Sequence, residues 1–180
     1  MELPQRKPIR LPSYDYSTNG AYFITVCTHK KQKIFWKDCR VDPCGQPCIV
    51  YSELGEIAQN CISVIEEKFN IVVDKYAIMP DHIHLLISMS DYEKRLTARV
   101  NPTISQVVGA YKSIVSNEWL TCCKEKNKKM GEIWQRSFFD HVIRGPQDYE
   151  EIWHYIDENP LRRMINKTQR SSEHAENSQI

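Results

Sequence analysis

The chain has 180 residues, 41% hydrophobic and 26% charged, with a net charge of +1 at neutral pH. That suits one soluble domain with a single core, and nothing in the global charge announces a nucleic-acid partner. No apolar run approaches the roughly 20 residues that span a bilayer, and Met1 to Pro8 lacks the apolar segment of a secretory signal, so the expectation is a cytoplasmic protein with no membrane partner.

Residues 1–19 carry Pro4, Pro8 and Pro12 with few apolar residues and read as an extended arm. Asn19-Gly20 marks a turn, and Ala21 to Cys27 has the β-branched and aromatic content of a buried strand. Residues 28–50 read as a hairpin or loop. From Ser52, placed as a cap, Leu54, Ile57, Ala58, Cys61, Ile62 and Ile65 recur at helical spacing. Two strands follow, Ile71 to Ile78 and His82 to Met89, joined by the turn Met79-Pro80-Asp81. After a polar stretch at 90–101, Thr103 caps a second helix with Ile104, Val107, Val108, Tyr111, Ile114 and Val115 on one face. A lysine-rich loop spans 124–130, and Trp134 to Arg144 reads as a strand. A third helix is expected from Gln147 to Asn159, ending at Pro160 because the residue before proline disfavours the α region. A polar tail, expected to be disordered, follows. The order predicts an α+β fold: a ferredoxin-like βαββαβ antiparallel sheet with an extra C-terminal helix. The arm covers 1–19, the domain 20–165 and the tail 166–180.

The seven cysteines are odd in number, and Cys122 and Cys123 are adjacent, unlike a secreted disulfide framework. Cys39, Cys44 and Cys48 lack a well-spaced fourth partner for structural zinc. Reduced thiols filling apolar space are the simpler reading.

Chemistry concentrates at His82-Ile83-His84. Strand side chains alternate, so the two imidazoles project from one face and Ile83, Leu85 and Ile87 from the other. Two imidazoles so placed can share a divalent ion, or be surface residues or hydrogen-bonded core. The chain is too short for a barrel hydrolase using such a pair, and Ser88 stands where a cupin needs glutamate. On the third helix Tyr155 and Asn159 are i and i+4, hence neighbours on one face. They are either a core aromatic and an ordinary helix end, or a phenol nucleophile and an amide ligand for the ion.

Tyr76 to Ile87, containing the histidine pair, resembles the metal-binding motif of the HUH tyrosine transposases. Ile133 to Arg144, Asp148-Tyr149 and Tyr155 to Pro160 resemble the REP-associated branch of that superfamily, and Gly20 to Thr25 and Val108 to Ser113 match further blocks. Position 81 is Asp where the family more often has Asn. The resemblance implies a transposase, a single-strand DNA endonuclease and strand transferase. It implies His82, His84 and Asn159 around Mg²⁺ or Mn²⁺, and Tyr155 as the nucleophile that forms a 5′-phosphotyrosine. Tyr149 is the rival, about 240° around the helix from Tyr155, so only one of them can face the ion. The implied substrate is single-stranded DNA with a hairpin, which would make the protein nucleoid-associated, and the fold admits a homodimer. Lys30, Lys31, Arg136, Arg144, Arg162, Arg163, Tyr14 and Tyr16 are the expected DNA contacts. The alternative is a domesticated protein that binds hairpin DNA or RNA without cutting it.

Overall fold

In the computed structural model, residues 20–41, 44, 47–89 and 102–176 are described. The arm at 1–19, with Tyr14 and Tyr16, and the stretch at 90–101 lie outside them. The elements in chain order are β1 (Gly20–Cys27), β2 (Trp36–Val41), β3 (Pro47–Tyr51), α1 (Glu53–Phe69), β4 (Val72–Ile78), β5 (His82–Met89), α2 (Ile104–Glu125), β6 (Phe139–Val142) and α3 (Pro146–Glu176). A four-stranded antiparallel sheet has the order β4-β5-β1-β6, and β2 and β3 form a separate hairpin sheet. β1 and β4 are parallel with β5 between them, which is the split βαβ arrangement expected of the ferredoxin-like order.

Local chemistry sets the helix starts. The Ser52 hydroxyl accepts from the Gly55 amide at 3.1 Å and donates to the Ile34 carbonyl at 2.6 Å, capping α1 and tying it to the chain before β2. Asn70 ends α1 in the left-handed conformation, φ 49°. Thr103 and Gln106 form a reciprocal capping box at the start of α2. Pro146 opens α3, where its missing N–H costs nothing.

The sheet is covered on both faces. Ile24, Ile83, Leu85 and Ile87 pack against Ala58, Ile62 and Ile65 of α1 and Val107, Tyr111 and Val115 of α2. The Tyr111 hydroxyl donates to the Ala58 carbonyl at 2.7 Å inside that core. On the opposite face Leu86 and Ala77 meet Ile156 of α3, with Phe23, Ile152 and Trp153 alongside. The alternation along β5 thus sends Ile83, Leu85 and Ile87 to one side, and His82, His84 and Leu86 to the side of α3.

A Cβ added at Gly55 would stand 2.2 Å from the Phe35 carbonyl oxygen, which also accepts from the Ser52 amide. Gly55→Ala is therefore expected to destabilise the fold by about 3 kcal/mol or more, because backbone must move. Urea unfolding checks this through a lower midpoint.

Three expectations need correcting. The helix does not stop at Pro160: α3 carries that proline inside and continues to Glu176, taking in most of the stretch read as a disordered tail. Proline in a helix interior costs about 3 kcal/mol. Ile156 and Met164, buried one turn to either side, hold the helix to the body and offset that cost. The strand read from Trp134 to Arg144 is only Phe139–Val142, and Trp134 makes a single bridge to Thr28. The Lys112 ammonium takes the Gln135 and Ser137 carbonyls at 2.8 and 3.0 Å, side-chain bonds that tie this stretch to α2 in place of a regular ladder. α2 also extends two residues into the lysine-rich stretch, to Glu125.

Candidate active site

The turn Met79-Pro80-Asp81 delivers β5 so that His82 and His84 share a face. The Met79 amide donates to the His82 carbonyl at 2.8 Å, and the Thr28 amide and hydroxyl donate to the Asp81 carbonyl at 3.0 and 2.9 Å. The two imidazole Nε2 atoms converge to 3.1 Å, with ring centroids 4.6 Å apart. Their outer nitrogens are held by separate partners. His82 Nδ1 lies 2.8 Å from the Asp81 carboxylate, and His84 Nδ1 lies 2.9 Å from the Thr25 hydroxyl of the neighbouring strand. Cross-strand register accounts for the second, since Thr25 pairs with His84 in the β1–β5 ladder.

Burial pushes the His84 imidazole down to about 3, reinforced by the neighbouring His82, and burial also lowers His82 against the opposing pull of Asp81. Both rings are therefore neutral at physiological pH and keep lone pairs for a cation. One proton arrangement satisfies every ring nitrogen without a cation. The Thr25 hydroxyl donates to His84 Nδ1, His84 Nε2–H donates to His82 Nε2, and His82 Nδ1–H donates to Asp81. Moving the His84 proton to Nδ1, where the Thr25 oxygen can accept it, bares both Nε2 atoms. Two nitrogens each roughly 2.1 Å from one ion lie roughly 3 Å apart when they are adjacent ligands, so this pair fits a divalent cation.

α3 brings its residues to the same place. The Tyr155 ring lies 5.4 Å from His84 and 5.8 Å from Phe23, edge-on to the latter. It is 45% exposed, which removes the reading of Tyr155 as an ordinary core aromatic. Asn159 follows one turn along the same face and lies within the helix, not at its end. One turn further, an Arg163 guanidinium nitrogen is 3.9 Å from the Asp81 carboxylate. Asn159 is thus bracketed between a residue at His84 and a residue at the partner of His82. Tyr149 faces elsewhere: it stacks on Trp153 at 6.1 Å and hydrogen-bonds Asp74, with burial foremost in raising its phenol.

Among the described residues no three His, Cys, Asp or Glu side chains converge as a metal site. His141, on β6, is engaged by the Asp148 carboxylate at 2.9 and 3.0 Å and ties that strand to the start of α3.

The expected DNA contacts divide by position. Lys30 and Lys31 are exposed in the short turn after β1, both with positive φ. Lys31 and Arg163 each lower the affinity of His82 for a proton, so both lie within electrostatic reach of it. Arg136 and Arg144 are exposed on either side of β6. Arg162 is committed to Glu158 at 2.5 Å along the helix surface. Sequence reasoning missed Thr25 and Phe23 as partners of the site and saw Asp81 only as a turn residue. Strand register, which joins positions far apart in the chain, was the signal that could have found Thr25.

Among the described residues no helix is long and apolar enough to cross a membrane. Comparison with known proteins agrees with the fold. The family model described as "Transposase IS200 like" matches residues 17–159. An uncharacterised Haemophilus influenzae protein is 30% identical over 168 residues, covering 87% of this chain and 88% of its own. A second protein of that organism, provisionally named a REP-associated tyrosine transposase, is 25% identical over 154 residues, covering 82% of this chain and 74% of its own. A solved REP-associated tyrosine transposase bound to a REP hairpin superposes with a TM-score of 0.50 at 16% identity, over 91% of this chain and 74% of that one. The chain therefore belongs to the IS200-like transposase family, and its function is transposase-like and directed at DNA.

Proposed function

We propose that this chain cuts and rejoins single-stranded DNA bearing a hairpin, with Mg²⁺ or Mn²⁺ held by His82, His84 and Asn159, and with Tyr155 as the nucleophile. The observation that carries the reading is the 3.1 Å convergence of the two Nε2 atoms beside the half-exposed Tyr155 ring, all within one chain. The hairpin partner is inferred from the solved relative, which is bound to one.

A divalent ion at the histidines would supply Lewis-acid withdrawal of charge from a phosphate. The chain's own residues do the rest. Phe23 and His84 flank the Tyr155 ring and would hold it beside the site. The Tyr155 oxygen attacks phosphorus in line and its proton passes to water. The bond from phosphorus to the 3′ oxygen breaks, and that oxygen leaves as a 3′-OH after taking up a proton. The 5′ end stays on Tyr155 as a phosphodiester. One phosphodiester has replaced another, so a different 3′-OH can reverse the step and join strands without ATP. Lys30, Lys31, Arg136, Arg144 and Arg163 would hold backbone phosphates, which position the strand without reading it.

The test is incubation with labelled hairpin single strands, drawn from the DNA flanking the gene, and Mn²⁺. A denaturation-resistant covalent adduct is expected. Tight hairpin binding with no adduct under any metal would instead establish the non-cutting binder.

The proton arrangement makes a sharper prediction at Thr25. Thr25→Val keeps the shape but cannot accept from His84 Nδ1–H, so the tautomer that bares Nε2 leaves a buried donor unpaired. Mn²⁺ affinity is expected to fall about 10- to 100-fold, read by titration calorimetry, beside a stability loss of about 1 kcal/mol from the hydrogen bond that the buried His84 Nδ1 also loses in the metal-free form.

A further inference from the structure

β4 is an edge strand with a bulge between Val73 and Lys75. A bulge places two residues against one on the partner strand and re-aims their side chains. Here the two consecutive residues Asp74 and Lys75 both reach α3. Asp74 accepts from the Ser88 hydroxyl of β5 and hydrogen-bonds Tyr149 of α3. The Lys75 ammonium lies 2.5 Å from the Asp157 carboxylate and 4.9 Å from the centre of the Trp153 ring, and its side chain is three-quarters covered.

Trp153 and Asp157 are one turn apart and bracket Tyr155 in sequence. At 100° per residue they lie roughly 160° to 200° around the helix from Tyr155, with the buried Ile156 stripe between. α3 thus rests on the sheet along Ile152 and Ile156, with Tyr155 at one border and the Lys75 contacts at the other. A cleft of about 340 Å³, lined by Asp74, Lys75, Ile156, Asp157 and Pro160 among others, opens beside those contacts. Trp153 packs onto the sheet on that side, and the Lys75 ion pair to Asp157 closes its outer edge beside the cleft, so the clamp adds a polar restraint on the roll of the helix where packing is open.

We infer that Lys75, aimed by the β4 bulge, is a positioning residue for Tyr155: it fixes the roll of α3 and so the reach of the phenol to the histidine pair. This rests on the proposed role of Tyr155. Loss of the clamp lets α3 turn about its apolar stripe, which moves Tyr155 without removing any group at the site. Misplacement of a reacting group by about 1 Å can cost on the order of 100-fold in rate.

The experiment compares Lys75→Met with Lys75→Arg and Asp157→Asn in the full chain. Three quantities are read: hairpin affinity, the single-turnover rate of adduct formation with Mn²⁺, and paramagnetic broadening of a fluorine resonance from 3-fluorotyrosine placed at position 155. Expected for Lys75→Met and Asp157→Asn are unchanged hairpin affinity, at least about tenfold slower adduct formation, and altered broadening by Mn²⁺. Lys75→Arg restores both of the latter. Wild-type rate and broadening in Lys75→Met overturn the inference, and should that variant fail to fold, the same result in Asp157→Asn does so. Persistence of the adduct in Tyr155→Phe would overturn the nucleophile assignment itself, which is a separate outcome.

Discussion

Tyr155→Phe is expected to leave a folded protein that binds hairpin DNA and forms no covalent adduct with it. The ring is half exposed and rests edge-on against Phe23 and beside His84, contacts that phenylalanine keeps. A stability change within about 0.5 kcal/mol is therefore expected, as for other surface substitutions. The loss falls on chemistry alone: the oxygen that would bond to phosphorus is gone, and the adduct rate should drop at least about 1000-fold. Tyr149→Phe is the control. It removes a hydrogen bond to Asp74 on the sheet side of α3 and should cost about 1 kcal/mol of stability, while adduct formation continues. Denaturing gels of both variants with labelled hairpin settle the choice of nucleophile, and an adduct from Tyr155→Phe but not from Tyr149→Phe would reverse it.

The sequence made some parts of this arrangement legible and hid others, for identifiable reasons. Period-two alternation suffices to put His82 and His84 on one face and Ile83, Leu85 and Ile87 on the other. The i,i+4 spacing suffices to align Tyr155 with Asn159. Both are local relations within one element. Thr25 behind His84 and Lys75 behind α3 are not, because each depends on register between segments remote in the chain. The end of α3 is hidden for a different cause. The rule that helices stop before proline is a local preference, and burial of Ile156 and Met164 on either side of Pro160 outweighs it. The shortness of β6 is not visible from Trp134 to Arg144 alone, because the side chain that binds the Gln135 and Ser137 carbonyls, Lys112, sits on a helix more than twenty residues earlier.

The histidine pair carries the second large effect. His84→Ala and His82→Ala should each lower Mn²⁺ affinity by at least about 100-fold, since even the loss of a group that orients a ligand costs 10- to 100-fold. Adduct formation should fall with it to the level of Tyr155→Phe. Hairpin binding should change little in either, because on the proposed function stems would be held through phosphates at the basic residues and not through the ion. The two variants should part on stability. His84 is 3% exposed, packs against Phe23 and occupies the Thr25 hydroxyl, so its loss opens a buried void and is expected to cost about 2 kcal/mol. His82 is more open to solvent, with its side chain 23% exposed, and its replacement frees Asp81 for Arg163, so the cost should be under about 1 kcal/mol. Equal loss of metal and adduct with unequal loss of stability would separate a shared ligand role from a structural one. Full Mn²⁺ affinity in His82→Ala, the milder variant, would place the ion elsewhere, and an undiminished wild-type adduct in excess chelator would remove the ion from the reaction.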